Sequence, residues 1–196
     1  MPYLTKDEVL AMLLERRDAE VVEQHLITGL PYVFREAPRA YQDFAETLSR
    51  QFRTPIVDVS VIGSGRIGFS LDPDKFGTPF QATSDLDAIV VNADMFDMAW
   101  IQLCRIGRRR LSLDSRVRSA FDLHRANNVF FGFIVSEALP GIVTLSTLWF
   151  NVFRQIGTGI RVIAGRNVTG RLYRTWEHVK VHQRYSLDAI ATRFGR

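Results

Sequence analysis

The sequence predicts a mixed α/β (α+β) fold, in which helices pack on a sheet and further helical segments form both ends of the chain. Three observations lead to this prediction. The first and last segments have apolar residues at helical spacing. Between them, residues 56–91 hold two apolar strands on either side of a glycine-rich turn. The second strand opens with two aspartates, Asp85 and Asp87, and the rest of the chain is expected to surround this central stretch.

The composition is that of one globular domain. A chain of 196 residues can bury a substantial core, and 46% hydrophobic and 23% charged residues argue against a disordered or fibrous protein. We therefore expect a single domain, with its core at about residues 56–140 and helical flanks at residues 1–55 and 141–196. No apolar run approaches the roughly 20 residues needed to cross a bilayer, and the first residues lack the pattern of a leader. A cytoplasmic protein without membrane contact is expected, with its single cysteine, Cys104, buried as a small hydrophobe.

Three helices are predicted before the central stretch. Thr5 and Glu8 have the spacing of a capping box, and an apolar stripe follows them. A second helix is expected at residues 20–27. A third follows Pro38 and ends before Pro55, because the residue before a proline disfavours the helical conformation.

The central stretch itself predicts a strand, a loop and a second strand. Val57, Val59 and Val61 alternate with polar residues, which is the period of a half-buried strand. Residues 69–82 contain glycine and several prolines and predict a loop. Residues 86–91 are apolar apart from one aspartate and predict a buried strand.

The second half of the chain is predicted to contain four helices and two strands. A helix capped by Asp94 follows the central stretch. Aromatic and apolar residues at helical spacing predict the other helices, and short apolar runs beside glycine predict the strands. The remaining helices are expected at residues 115–126, 144–156 and 171–194, and the strands at 129–135 and 161–164.

A dense group of arginines follows the first of these helices. Seven arginines stand against two aspartates, Asp114 and Asp122. A solvated helix end, where cations also favour the helix dipole, would explain part of this group. The density also suits a phosphate-bearing partner, so an RNA or protein acceptor bound through residues 105–118 is the sharper hypothesis. The arginines are Arg105, Arg108, Arg109, Arg110, Arg116, Arg118 and Arg125.

One interpretation of the glycine-rich turn is a dinucleotide site. Gly63, Gly65 and Gly68 match the pattern G-x-G-x-x-G after a strand, and an acidic residue lies about twenty positions further on. In that fold a long helix fills the interval between the two strands. Here Asp-Pro-Asp and Gly-Thr-Pro interrupt residues 72–79 and leave room for barely two turns. A dinucleotide-dependent oxidoreductase is therefore the weakest alternative.

The paired aspartates indicate a metal site. Residues i and i+2 of a strand lie on one face, so Asp85 and Asp87 present their carboxylates side by side. Two such carboxylates repel each other unless a cation lies between them, and Mg²⁺, or Mn²⁺ in its place, takes carboxylate ligands together with substrate phosphates.

The turn before them suits the phosphates of the same ligand. Backbone N–H groups at Gly63 and Gly65, with the Ser64 hydroxyl, are expected to hold the outer phosphates of a nucleoside triphosphate. The forked guanidinium of Arg66 is a further candidate phosphate contact. A metal ion between carboxylates and phosphates is the arrangement for phosphoryl or nucleotidyl transfer.

These residues resemble the signature of the DNA-polymerase-β-like nucleotidyltransferase superfamily. The first half is Val61-Ile62-Gly63-Ser64, and the second is Ser84-Asp85-Leu86-Asp87. The form Gly-Ser-x-Arg-x-Gly is also similar to stand-alone bacterial members. The resemblance implies a mixed sheet with helices on one side. It also implies magnesium-dependent transfer of a nucleoside monophosphate from a triphosphate to a hydroxyl of a nucleic acid, protein or nucleotide, with release of pyrophosphate.

The resemblance further implies a third carboxylate on a later strand, which ligates the metal and helps to deprotonate the attacking hydroxyl. The expected strand at residues 129–135 contains no acid. Glu137, just beyond its end, is the preferred candidate, and Asp122 is the alternative. If neither serves, the chain is a catalytically weak nucleotide-binding or regulatory module. Compact members also act with a protein partner, as in toxin–antitoxin or phage-defence pairs.

Overall fold

The strands form one mixed sheet. The computed structural model describes residues 3–135 and 145–195, and the strands in these ranges are ordered β1-β2-β4-β3. β2 pairs antiparallel with β1 and parallel with β4, and β3 pairs antiparallel with β4. The predicted mixed α/β fold is confirmed. The strands are β1 (Val59–Ile62), β2 (Leu86–Val91), β3 (Phe133–Ile134) and β4 (Val168–Tyr173).

Helices account for most of the remaining described chain, and the capping box of Thr5 and Glu8 is present at the start of the first one. A π-helical turn, Val21–Leu26, continues α2. The helices are α1 (Lys6–Leu14), α2 (Asp18–Glu20), α3 (Pro38–Phe52), α4 (Ser64–Ile67), α5 (Ala93–Gly107), α6 (Ser115–Asn127), α7 (Leu145–Gly159) and α8 (Trp176–Phe194). Short 3₁₀ turns lie at Tyr32–Phe34, Ile56–Asp58, Arg110–Ser112, Val129–Phe131 and Arg161–Ile163.

Helices cover both faces of the sheet because the central strand β2 is buried on both sides. Leu86, Ala88 and Val90 pack in one core cluster with apolar residues of α3, α5 and α7. Ile89 and Val91 alternate with them and pack on the other face in a cluster that includes residues of α8. Asp87 is two residues before Ile89 on β2, so its side chain lies on the same face of the sheet, which α8 covers.

The N-terminal helices pack against the same C-terminal helix. Val9 of α1 and Leu26 of the π-helical turn share a buried cluster with Leu187 and Ile190 of α8. Ile67, within the glycine-rich turn at the end of α4, belongs to this cluster as well. The two ends of the chain are thus joined beside the turn.

The sequence prediction placed the later strands wrongly. Only Phe133–Ile134 of the expected strand at residues 129–135 is β-structure, because a 3₁₀ turn and Gly132, with φ of +73°, precede it. The strand expected at residues 161–164 is a 3₁₀ turn. The helix expected from residue 171 begins at Trp176, and β4 occupies the residues before it. The sheet core therefore extends well beyond residue 140.

Two local predictions are also corrected on α5. Its N-cap is Asn92, whose side chain accepts a hydrogen bond from the Met95 N–H, and not Asp94. Cys104 is exposed, because Phe96, Ala99 and Leu103 form the buried stripe of this helix. No helix within residues 3–135 and 145–195 combines the length and the apolar character that a bilayer crossing requires.

A buried histidine makes the stability depend on pH. His124 of α6 is 3% exposed, and its Nε2 accepts a hydrogen bond of 3.0 Å from the Val135 N–H. Burial lowers the pKa of His124 to about 4, below its ordinary value of 6.5. The unfolded chain therefore takes up the proton first as pH falls, so stability is lost between pH 6.5 and 4.

We expect His124→Gln, whose amide oxygen can accept the same hydrogen bond, to lose less stability on acidification than the wild type. The free energy of unfolding of the wild type should fall by about 2 kcal/mol more between pH 7 and pH 5 than that of the variant. Urea unfolding at both pH values measures this difference. Equal losses in the two proteins would contradict the buried, neutral state of His124.

Candidate functional site

Most of the predicted site residues line one cleft at the end of β1 and the start of β2. Its volume is about 690 Å³. Gly63, Ser64, Asp85 and Asp87 all line it, together with residues of α8. The cleft thus brings together the glycine-rich turn and the aspartate pair, which the sequence separates by a loop. Other lining residues include Asp72, Lys75, Arg171, His182, Gln183 and Ser186.

Gly63 joins the two halves of the motif by a close contact. A Cβ atom at this position would lie 3.0 Å from Oδ2 of Asp87, so the glycine allows the carboxylate to approach the backbone of the turn. Its φ of +66° and ψ of −150° also belong to a region that other residues rarely adopt. The backbone register supports the contact, since Ile62 and Asp87 are paired across β1 and β2.

Asp87 is fixed from the other side by β4. Thr169 is its register partner on β4, and the Thr169 hydroxyl donates to Asp87 Oδ1 at 2.9 Å. Arg171, two residues further along β4, places Nη2 3.6 Å from the same oxygen. The Arg171 side chain is 30% exposed and the Asp87 side chain is 28% exposed. The carboxylate is therefore positioned by three strands and faces a cation of the chain itself.

Asp85 is exposed and precedes β2 by one residue. The Leu86 N–H donates to the Asn167 carbonyl at 2.9 Å, which continues the β2–β4 pairing to this point. Arg166 holds the preceding loop: Nη1 donates to the carbonyls of Ala82 at 3.0 Å and Ser84 at 3.1 Å. Asp85 thus lines the cleft from an anchored backbone.

Arg66 does not line this cleft, in contrast to its predicted role as a phosphate contact. It is 1% exposed. Nε donates to the His25 carbonyl at 3.1 Å, Nη1 to the Gly29 carbonyl at 2.8 Å, and Nη2 to the Thr28 carbonyl. The guanidinium therefore caps the end of the π-helical turn from inside the protein. Burial lowers its pKa.

Gly65, which was predicted to contact phosphate, lies in the interior of α4. A Cβ atom there would lie 2.8 Å from Leu86 Cδ1 and 3.2 Å from Val61 Cγ1. The absent side chain therefore lets the short helix pack on the sheet. Among the glycines of the turn, Gly63 alone lines the cleft.

No third carboxylate accompanies Asp85 and Asp87 on the neighbouring strand. β4, which is the strand beside β2, contributes Thr169 and Arg171 to this face. Asp122 lies on α6, where Oδ2 is 2.9 Å from Arg110 Nη1 and Oδ1 is 3.7 Å from Arg125 Nη2. Glu137 lies outside the described residues. Within residues 3–135 and 145–195, no three His, Cys, Asp or Glu side chains are grouped to hold a metal.

The oxygen atoms of the cleft nevertheless suit a hard cation. Asp85 and Asp87, which have carboxylates, and Ser64, which has a hydroxyl, line the same cleft. Mg²⁺ completes its octahedral shell with water and phosphate oxygens when a protein provides only one or two carboxylates. The donor set therefore fits a metal ion that arrives with a triphosphate.

Arg171 and Lys75 each add a positive charge to the cleft. Arg171 was expected to flank the site only if the last helix packs over it, and Lys75 was missed. Arg171 was assigned to a helix, although Val168-Thr169-Gly170-Arg171-Leu172-Tyr173 has the β-branched and aromatic content of a strand. The signal for the true helix start was Thr175, whose side chain accepts from the His178 N–H. Lys75 lies in the loop after α4. The glycine content of residues 69–82 had suggested that this loop closes over the substrate, but it did not indicate which residue of the loop lines the cleft.

His182 lines the cleft and contacts the buried Tyr173 behind it. The Tyr173 hydroxyl lies 2.7 Å from Nδ1 of His182. Burial raises the pKa of Tyr173 to about 12. Burial, with a smaller contribution from Arg171, lowers the pKa of His182 to about 4. Both groups are therefore neutral at pH 7, and the charges along the cleft belong to its aspartates and to Lys75 and Arg171.

The arrangement excludes the dinucleotide alternative. A dinucleotide fold requires parallel strands joined by a long helix. Here β1 and β2 are antiparallel, α4 has four residues, and the chain from Phe69 to Ser84 forms no helix.

Comparison of the chain with protein-family models, with curated proteins and with solved structures finds no match.

Proposed function

We propose that the cleft binds a nucleoside triphosphate with Mg²⁺ or Mn²⁺ and transfers the nucleoside monophosphate to a hydroxyl acceptor. The contact between Gly63 and the Asp87 carboxylate carries this proposal. It brings the Gly-Ser turn against the Asp-x-Asp strand in the order and proximity that the resemblance to the DNA-polymerase-β-like nucleotidyltransferases requires. Ser64 and Asp85 line the same cleft.

The charged residues divide into two roles. Asp85 and Asp87 hold the metal ion, which when bound neutralises phosphate charge and polarises the phosphoryl oxygens. Lys75 and Arg171 balance the remaining negative charge of the triphosphate, and the Ser64 hydroxyl donates to a phosphate oxygen. Thr169 keeps the Asp87 carboxylate oriented through its 2.9 Å hydrogen bond.

A second candidate function is nucleotide binding without efficient transfer. The observation that favours it is the composition of β4, which places Thr169 and Arg171, and no acid, beside Asp87. A site of this kind would respond to a triphosphate and regulate a protein partner, as in the two-protein systems to which the resemblance points. Turnover separates it from the first candidate.

Pyrophosphate release tests the transfer reaction. We expect wild-type protein, Mg²⁺ and one of the four ribonucleoside triphosphates, with RNA and protein acceptors present, to release pyrophosphate. Asp87→Asn should release it about 100-fold more slowly, because metal-ion charge stabilisation is worth several kcal/mol. The matched control is Asp43→Asn, which makes the same change on an exposed carboxylate of α3.

The outcomes distinguish the two candidates. Equal rates in the wild type and Asp87→Asn would refute transfer at this cleft. Magnesium-dependent binding of a triphosphate without pyrophosphate release, measured by calorimetry, would support the regulatory module. Absence of both binding and release with all four triphosphates would refute both candidates.

A further inference from the structure

A second cavity lies at the junction of α5 and α6. It shares no lining residue with the cleft that contains Asp85 and Asp87. Its volume is about 750 Å³, and the 3₁₀ turn Arg110–Ser112 connects the two helices beside it. We call this junction the arginine surface. It is lined by Arg105, Ile106, Arg108, Arg109, Ser112 and Leu113.

The segment that contains the arginine surface, residues 105–125, carries the net positive charge of the whole protein. Residues 105–125 hold seven arginines and two aspartates, a net charge of +5, whereas the complete chain has a formal net charge of +4. The rest of the chain therefore carries a net charge of −1. A charge excess confined to one segment creates a local positive potential that attracts anions.

The acids of this segment are engaged away from the cavity. Asp122 pairs with Arg110 at 2.9 Å and with Arg125 at 3.7 Å. Asp114 caps α6, where its Oδ1 accepts from the Arg116 N–H. Within residues 3–135 and 145–195, no carboxylate forms an ion pair with the arginines that line the cavity. These three exposed side chains are Arg105, Arg108 and Arg109.

The cavity also has an apolar component. Ile106 and Leu113 lie between the arginines on its wall and are half-buried. Leu111, in the connecting turn, is 77% exposed. An inorganic anion would use only the guanidinium groups, so the mixed lining favours a ligand that has both phosphates and flat apolar faces.

We propose that the arginine surface binds a single-stranded polynucleotide. Each nucleotide of a single strand offers a phosphate to a guanidinium and an unstacked base to an apolar or guanidinium face. A duplex offers its phosphates but hides its base faces, and an acidic peptide has no flat apolar group beside each charge. This binding does not depend on chemistry at Asp85 and Asp87, so a binding experiment tests it independently of the proposed transfer reaction.

Fluorescence anisotropy with labelled 20-nucleotide single strands of RNA and of DNA, and with a DNA duplex of equal length, tests this surface. We expect the wild type to bind both single strands more tightly than the duplex. The triple variant Arg105→Gln, Arg108→Gln, Arg109→Gln should bind single strands at least about tenfold more weakly at low salt. Its slope of log Kd against log salt should be smaller by about 2, as three lost phosphate contacts predict.

A matched control removes the same charge elsewhere. Arg39, Arg50 and Arg161 are exposed and lie outside the arginine surface, so their replacement by Gln should leave most of the affinity intact. The triple lysine variant at positions 105, 108 and 109 keeps the charge and should keep the salt slope. Circular dichroism verifies that each variant is folded.

Three results would overturn the proposal. One is the absence of single-strand binding by the wild type at 50 mM salt. Another is an equal loss of affinity in the control variant, which would indicate attraction by net charge alone. The third is displacement of RNA by a poly-glutamate peptide at equal residue concentration, which would assign the surface to an acidic protein. The ratio of RNA to DNA affinity identifies the preferred strand.

Discussion

Replacing Arg66 by methionine is expected to destabilise the protein by about 3–5 kcal/mol, because three partly buried carbonyl oxygens lose a charged hydrogen-bond donor together. These carbonyls belong to His25, Thr28 and Gly29 at the end of the π-helical turn. The methionine fills much of the volume but donates no hydrogen bond. Urea unfolding monitored by circular dichroism measures the loss.

Two further variants make this result specific. Arg50→Met changes an exposed arginine of α3 and should alter stability by less than about 0.5 kcal/mol. Arg66→Lys keeps the charge but cannot reproduce the planar fork, so it should also be clearly destabilised. A loss below about 1 kcal/mol in Arg66→Met would mean that water replaces the guanidinium and that Arg66 does not hold the turn.

Replacing Gly63 by alanine is expected to reduce the proposed nucleotidyl transfer about 100-fold, because the new Cβ displaces the Asp87 carboxylate from the turn. The Cβ would lie 3.0 Å from Oδ2, which is closer than most such contacts in proteins. A displaced carboxylate also loses alignment with the Thr169 hydroxyl and Arg171. Steady-state pyrophosphate release measures turnover, and calorimetry measures the affinity for the triphosphate with Mg²⁺.

Gly165→Ala is the matched control for the backbone strain in this variant. Gly165 also has a positive φ, +81°, but no atom lies within 4 Å of its Cβ position. Both variants should lose about 1–3 kcal/mol of stability from strain. Only Gly63→Ala should lose function as well, and equal function in the two variants would refute the role of the Gly63–Asp87 contact.

The central stretch was predictable because its signals are local. β2 coincides with the apolar run predicted at residues 86–91, and the loop predicted after the glycines forms no helix. Asp85, Asp87, Gly63 and Ser64 meet in one cleft, as their order along the chain suggested. Alternation, turn residues and short spacing were sufficient for this part of the site.

Arg66 could not be placed from the sequence, because its partners are backbone carbonyls 37 to 41 residues earlier in the chain. Every residue has a backbone carbonyl, so the residue types do not show which carbonyls accept hydrogen bonds from Arg66. The same guanidinium chemistry suits a phosphate and a helix end equally well, and only tertiary packing distinguishes them.

The partners of Asp87 were missed for a different reason. The choice of which strand lies beside β2 is decided by long-range packing, in which Gly170 of β4 lets Trp149 and Phe153 of α7 approach the sheet. A Cβ at Gly170 would overlap the Phe153 ring. A periodicity read over a short window contains no information about such an approach, so the sequence placed the third strand at residues 129–135.

The pairing of β2 with β4 also has a consequence for biosynthesis. Asp87 and Thr169 are separated by 82 residues, so β2 leaves the ribosome long before the strand that completes its second edge. During that interval an apolar edge, Leu86–Val91, is open to other chains, and unpaired edges of this kind promote aggregation. The cleft is therefore among the last parts of the protein to form, and every molecule with an assembled cleft has already been translated through Ser186 of α8.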